Sequence, residues 1–402
     1  MSPQETLALS VAYEAYEQES LSDLIAARVL ERALPLSSFE PDATTIVEFR
    51  EKMGVRPLHF THAEMGDIPV LIADDLGQPS GAFKSRGASY AIMKAQAADT
   101  VMAASAGNHG NGVAIAARRA GKASYVHAAA NASPVKVENM RNNGATVINE
   151  HASVDAAVPA AIQMSRDTGA TFIHPYDNLD VIAGQATVGF EMIEELLQQH
   201  LLGEIDVHND PIRICMPIGG GGLISGVAIA VRWAKDQGLL GEQVAVYGAQ
   251  MQGCDAMNRA VQNLRSGQDV ENLFEDDALD TACDGTAVTS VGELTLPIVA
   301  DTRYVQKITT VAPYELADSM DSLSKFHGQP VEPAGALSLA GATRDSRREF
   351  GQMYYVTFTS GGNVSEATQE HFKAEQAARH FTRARCAIAS GQVTRHMVAV
   401  AR

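Results

Sequence analysis

"TVMAASAGNHGNGVAIAARRAGKASYVHAA", residues 100–129, decides the fold class, because it reads as strand, helix and strand in succession. TVMAASAG is a short β-type run, and NGVAIAARRAG has apolar residues at helical spacing, then two arginines and a glycine, as a helix end requires. ASYVHAA then returns to strand character. The same alternation continues through the helix SPVKVENMRNNG, the strand ATVINE, the helix VDAAVPAAIQMSRDTG and the strand ATFIHPY. A second series follows: strand IRICMPI, a run of glycines, helix LISGVAIAVRWAKDQG, strand VAVYGAQ and, much later, strand YYVTFTS. Repeated βαβ units imply an α/β fold of parallel sheets with helices on both faces, here in two lobes separated by a cleft. Upstream, SLSDLIAARVLERAL is an amphipathic helix expected on the outside of the larger lobe. The acid-rich stretch 267–284 is expected to be a solvated excursion.

Composition narrows the function classes. The chain has 402 residues, of which 46% are hydrophobic and 20% charged, enough to bury a large core. Lys and Arg number 31 against 48 Asp and Glu, and the net charge of -17 repels phosphate backbones and anionic headgroups. Nucleic acid and membrane surfaces are therefore not expected partners. The opening MSPQETLALSVAYEAYEQES has neither a basic n-region nor a continuous apolar core, so a cytoplasmic location is expected. Cys215, Cys254, Cys283 and Cys386 form no CxxC pair, and the 12 histidines form no HExxH pattern, so no metal is expected.

Loops that follow strands in such sheets carry ligands. GGGG, Gly219 to Gly222, sits between strand and helix, where it is either a tight turn or a phosphate cradle made of backbone N–H groups and a helix N-terminus. No Gly-Lys-Ser/Thr follows, which excludes a P-loop. Gly220, Gly222 and Gly226 give GxGxxxG, but the next strand ends in Gln250 where a ribose-binding acid belongs, which disfavours NAD. SAGNHGNG, Ser105 to Gly112, is either a helix cap or a nest of donors for a carboxylate or ring hydroxyl. TSGGN, Thr359 to Asn363, is a turn that also offers a hydroxyl and an amide. Lys84 in SGAFKSRGAS is either a solvated cation or a semi-buried amine, and burial lowers an amine's pKa and prepares it for Schiff-base chemistry.

Taken in order, QPSGAFKSRGA (78–88), ASAGNHGNGVA (104–114), PIGGGGLISG (217–226) and TSGGN (359–363) resemble the fold-type II pyridoxal-phosphate enzymes. HPYDNLDVIAGQATVGFEMIEEL (174–196), DGTAVTSVGE (284–293) and EPAGALSLAGA (332–342) are similar to signatures of the threonine dehydratases, the threonine/serine ammonia-lyases. The resemblance implies a two-lobed fold like the tryptophan synthase β chain. A large cofactor-binding domain would comprise 1–100 and 181–402, and a small domain, 101–180, would be inserted in it. It implies that Lys84 holds pyridoxal 5'-phosphate as a Schiff base and that Phe83 lies against the ring. Asn108 would meet the ring hydroxyl, Gly219, Gly220, Gly221 and Gly222 the phosphate, and Ser360 the ring nitrogen, with Glu332 an acid near the cofactor. Ser105, Ala106, Gly107, Asn108 and His109 would receive the carboxylate of a small amino-acid substrate. A homo-oligomer, dimer or tetramer, is implied as well.

The implied reaction is α,β-elimination from L-threonine or L-serine to a 2-oxo acid and ammonia, with Lys84 as general base. A neutral serine at the ring nitrogen makes the ring a weaker electron sink than a carboxylate partner would, which favours prompt loss of the β-hydroxyl. β-Replacement, diaminopropionate ammonia-lyase and racemase activities belong to the same fold, and a non-catalytic nucleotide-binding protein is the reading from another class. Ala106 lacks the hydroxyl that racemases of this type carry there. Three departures from the family pattern bear on substrate preference or a cation. They are Ile72 to Asp75 in place of a Lys-Arg-acid-Asp run, Ala82 in place of serine, and Gln250 in place of a glutamate. Only 42 residues follow Ser360, so no end-product-sensing domain is expected.

Overall fold

A computed structural model describes residues 20–39, 44–65, 68–105, 107–270, 273, 282–347 and 353–389. The first elements are α1 (Leu21–Ala33), α2 (Thr44–Met53), β1 (His59–Met65), β2 (Ile68–Asp74) and α3 (Lys84–Lys94). A strictly alternating stretch follows: β3 (Thr100–Ala104), α4 (Asn108–Arg119), β4 (Ala123–Ala129), α5 (Pro134–Asn142), β5 (Thr146–His151), α6 (Val154–Thr168) and β6 (Thr171–Phe172). Then come α7 (Leu179–Leu201), β7 (Ile212–Pro217), α8 (Gly222–Asp236), β8 (Val244–Met251), α9 (Ala256–Arg265) and α10 (Thr295–Ala300). The last described elements are β9 (Lys307–Val311), α11 (Pro313–His327), α12 (Pro333–Ser346), β10 (Tyr354–Thr359) and α13 (Glu366–Ala389).

Two sheets result. One has six strands in the order β1-β2-β10-β7-β8-β9, and the other has four in the order β5-β4-β3-β6. All pairings are parallel except β1 with β2, an antiparallel edge that the βαβ pattern did not foretell. The six-stranded sheet is covered on both faces, and alternate side chains of one strand enter different cores. Leu71 and Ala73 of β2 join one apolar cluster and Val70 and Ile72 the other. Every residue of β7 is buried, which is why IRICMP reads as a nearly unbroken apolar run.

α7 begins where the Asn178 side chain accepts the N–H of Val181, and it runs through the core against α8. Small residues set that approach: a Cβ on Gly226 would stand 2.7 Å from the backbone of Ala186. The expected strand ATFIHPY shortens to Thr171–Phe172. Its continuation curls because the His174 ring accepts the N–H groups of Tyr176 and Asp177 and draws the chain into the start of α7. The excursion 267–284 is not uniformly solvated, since Leu273 and Cys283 within it are buried. Residues 271–272 and 274–281 of that stretch, and residues 1–19, lie outside the described residues. Among the described residues, no helix is long and apolar enough to cross a membrane, and no group of three or more potential ligands gathers to hold a metal.

Candidate active site

The strand order brings separate motifs together. β2, β10 and β7 are neighbours and run parallel, so the loops leaving their carboxyl ends emerge side by side. These loops carry Lys84, Ser360 and the four glycines. At the first junction Asp75 N–H donates to the Thr359 carbonyl at 2.9 Å, and Phe83 N–H donates to Ser360 Oγ at 2.8 Å. Ser360 is thus docked at the start of α3, one residue before Lys84.

Lys84 reaches away from this junction toward the four-stranded sheet. Its Nζ donates to the Pro175 carbonyl at 2.8 Å and lies 5.1 Å from the centroid of the Phe83 ring. Part of the side chain remains open to the cleft, but the packing around the amine holds it from bulk water. Burial lowers its pKa from 10.5 to about 8. An amine at that value is neutral in roughly one molecule in ten at pH 7, several hundred times more often than a free lysine. His109 and His174 are near enough to feel the Lys84 charge, and both are held near a pKa of about 3, mainly by burial. Both rings are therefore neutral at physiological pH. His109 Nε2 donates to the Ile173 carbonyl at 2.9 Å, which pins the ring to the end of β6.

The glycine turn lies at the N-terminus of α8. Gly221 adopts φ +93°, and among the described residues no side chain caps the helix start, where N–H groups point as an anion requires. A Cβ on Gly220 would overlap the Tyr176 ring, so the HPYDN segment packs directly on the turn. Asp177 in that segment accepts the N–H groups of Glu293 and Leu294 at 3.0 and 2.8 Å, and Thr295 Oγ1 donates to the Gly220 carbonyl at 2.7 Å. Backbone rather than charge shapes the cradle.

Across the cleft, Asn108 Nδ2 donates to Glu332 Oε2 at 2.8 Å, and Asn363 N–H donates to Glu332 Oε1 at 2.9 Å. Asn363 Nδ2 in turn donates to Asn108 Oδ1 and to the Ser80 carbonyl, both at 2.9 Å. Burial raises the pKa of Glu332. Ser105 Oγ accepts the Gly107 N–H at 3.1 Å, folding the loop over itself. Ala106 lies outside the described residues. The structure thus gathers Lys84, Phe83, Ser360, Asn108 and Glu332 with the glycine turn and the Ser105 loop around one cleft.

These features fit pyridoxal 5'-phosphate: a desolvated amine beside an aromatic ring, a glycine cradle at a helix N-terminus, and a neutral hydroxyl at the neighbouring strand end. Residues 53–361 match the model of the family described as pyridoxal-phosphate dependent enzymes. The chain belongs to this family. Its cofactor is pyridoxal 5'-phosphate, and the two-sheet α/β architecture is the family's fold-type II fold. Similar members include a serine racemase of Oryza sativa subsp. indica, 32% identical over 71% of this chain and 78% of its own length. The L-threonine ammonia-lyase of Thermotoga maritima is 33% identical over 71% of this chain and 65% of its own. Among solved structures, a threonine deaminase from T.th. is 27% identical with TM-score 0.63, covering 85% of this chain and 98% of that one.

Several residues of the cleft have contacts that the sequence did not foretell. The TSGGN amide, Asn363, was offered for a heterocycle nitrogen, and its bonds here run to Glu332, Asn108 and Ser80. His174, Tyr176 and Asp177 lie in HPYDN, whose composition marked it but whose contact with the glycine turn is tertiary. Lys136 gave no signal, because its helix SPVKVENMRNNG reads as an ordinary surface helix.

Proposed function

We propose that the chain is an ammonia-lyase that removes the β-hydroxyl and amine of L-threonine or L-serine, yielding a 2-oxo acid and ammonia. The observation that carries the reading is the placement of Lys84, whose amine packs against the Phe83 ring and the Pro175 carbonyl, burial there lowering its pKa to about 8. Such a group serves first as a nucleophile and then as a base near neutral pH. When bound, pyridoxal phosphate supplies the sink for the electron pair left at the substrate α-carbon. Lys84 would hold the cofactor's aldehyde carbon, the turn Gly219 to Gly222 would hold its phosphate, and Phe83, Asn108, Ser360 and Glu332 would lie about its ring.

With its amine free, Lys84 Nζ would take the substrate α-proton. The loop of Ser105, Gly107, Asn108 and His109 receives the carboxylate and fixes the α-carbon relative to that amine. Ser360 would offer the ring nitrogen a neutral hydroxyl in place of a carboxylate, which supports early departure of the β-hydroxyl. Residues 101–180, which contain the four-stranded sheet, are on this reading a small domain that carries the substrate loop against a larger domain of 1–100 and 181–402.

A racemase is the second reading, favoured by the serine racemases among the relatives and opposed by Ala106, which has no hydroxyl to return a proton from the opposite face. Ammonia and 2-oxo acid release from L-threonine and L-serine, with the enantiomers of remaining serine resolved, tests the proposal. Stoichiometric ammonia and oxo acid with serine remaining L is the expected result. Accumulation of D-serine with little ammonia overturns it.

A further inference from the structure

Lys136 has no part in the site as drawn so far, yet its ammonium belongs to the cleft. It stands in the first turn of α5, on the side of the four-stranded sheet, and pairs with Asp284 of the segment that abuts the glycine turn. The lysine side chain is 14% exposed and the aspartate 51%, so the cation is the deeper member. A Cβ on Gly107 would meet Lys136 Cδ at 3.4 Å and Nζ at 3.6 Å, which places the amine over the Ser105 to His109 loop. Its charge also reaches Glu332, opposing the rise that burial causes there.

An amino acid entering this cleft brings a carboxylate that must be matched. His109 and His174 are neutral, and Lys84 is committed to the cofactor in the loaded enzyme. Lys136, paired with Asp284, brings an ammonium to the same wall as the carboxylate loop. Its partner Asp284 is half in water, and an ion pair with a solvated member is weakly held.

Building on the assignment of the 105–109 loop to the substrate carboxylate, we infer that Lys136 is a substrate-binding residue whose ammonium exchanges Asp284 for that carboxylate. The exchange costs one exposed ion pair and gains a charge-assisted hydrogen bond in a more enclosed place.

The test uses cofactor-loaded protein and two readouts. The first is equilibrium binding followed by the visible band of the holoenzyme with L-serine and with L-serinamide, which lacks the carboxylate charge. The second is the steady-state KM and kcat for oxo acid release. Lys136→Met is expected to weaken L-serine binding and raise KM by about 10- to 100-fold while kcat changes less than about threefold. Serinamide binding is expected to stay unchanged, Lys136→Arg to recover most of the loss, and Asp284→Asn to bind L-serine as tightly as the unaltered protein or more so.

Equal losses in Lys136→Met and Asp284→Asn would mean a purely structural bridge and overturn the inference. Equal losses for serine and serinamide, or weakened cofactor loading with unaltered serine binding, overturn it too, the latter assigning Lys136 to the phosphate. Carboxylate-dependent binding in a protein that releases no ammonia sinks the lyase reading and leaves this one standing.

Discussion

Lys84 and Arg86 are two residues apart on one helix and live in opposite electrostatic worlds. On an α-helix that spacing turns the side chains about 200° from each other. Lys84 looks into the cleft, where burial lowers its pKa and, among the described residues, its amine is met by a backbone carbonyl and the Phe83 ring with no carboxylate partner. Arg86 looks into the core, fully buried, and its guanidinium donates to Asp75 at 2.8 and 3.0 Å and to Glu191 at 2.8 and 3.1 Å. Burial alone would lower its pKa too, but the two carboxylates more than reverse that and hold it far above its ordinary value. The network also takes in Thr187 and the Arg56 carbonyl, so every edge of the guanidinium is used. One cation is stabilised as a charge and anchors the helix, and the other is pushed toward neutrality and left reactive. Reactivity at position 84 depends on withholding at that site what position 86 receives in full.

The sharpest way to break this comparison is Lys84→Ala. Loss of the visible band and a fall in activity of at least about 1,000-fold are expected, with the thermal midpoint of the cofactor-free protein unchanged or raised. A lowered midpoint would show that Lys84 had been stabilising the fold. Arg86→Met should do the reverse, leaving Asp75 buried without its cation and Glu191 with Arg50, 3.3 Å away. Denaturant titration of the cofactor-free protein should then show a loss of roughly 3–5 kcal/mol.

The pH dependence separates the two further. The folded pKa of Lys84 lies near 8 and the unfolded one near 10.5. Between those values the unfolded chain binds more protons than the folded one, so cofactor-free stability gains a contribution that rises with pH across that window and is level below it. Lys84→Met should remove this rise when midpoints are compared from pH 7 to 10. The rate of cofactor capture should climb to about pH 8 and then level, because the neutral amine is the nucleophile. The smallest effect is expected from Ser360→Ala. It leaves the Phe83 N–H without its acceptor beside Lys84, and a loss of about 1 kcal/mol in stability with a blue or red displacement of the visible band would mark it.

Much of this was legible beforehand, for identifiable reasons. The βαβ units around residues 100–176 and 212–250 appear as local periodicities, and the structure keeps nearly all of them, because buried parallel strands and their crossover helices impose patterns that do not depend on distant partners. The lysine, glycine and asparagine motifs were legible because each forms within one strand-to-helix turn. The antiparallel edge β1 and the strand β9 were missed, since neither has a run strong enough to outweigh its polar residues. The contacts of Asn363, His174 and Lys136 escaped because their partners, Asn108, the start of α7 and Asp284, are near in space and mostly far along the chain.

By itself, the order of residues determined the α/β class and the short motifs from which a cofactor cleft is assembled, because helix period, strand burial and glycine turns are local properties of the chain. Only the tertiary structure decided which loops meet. By placing β10 between β2 and β7 it brought Ser360 to Lys84 and set both beside the glycine turn. It also decided which of two neighbouring cations would be reactive, because desolvation and the supply of counter-charges come from residues that sequence proximity does not specify.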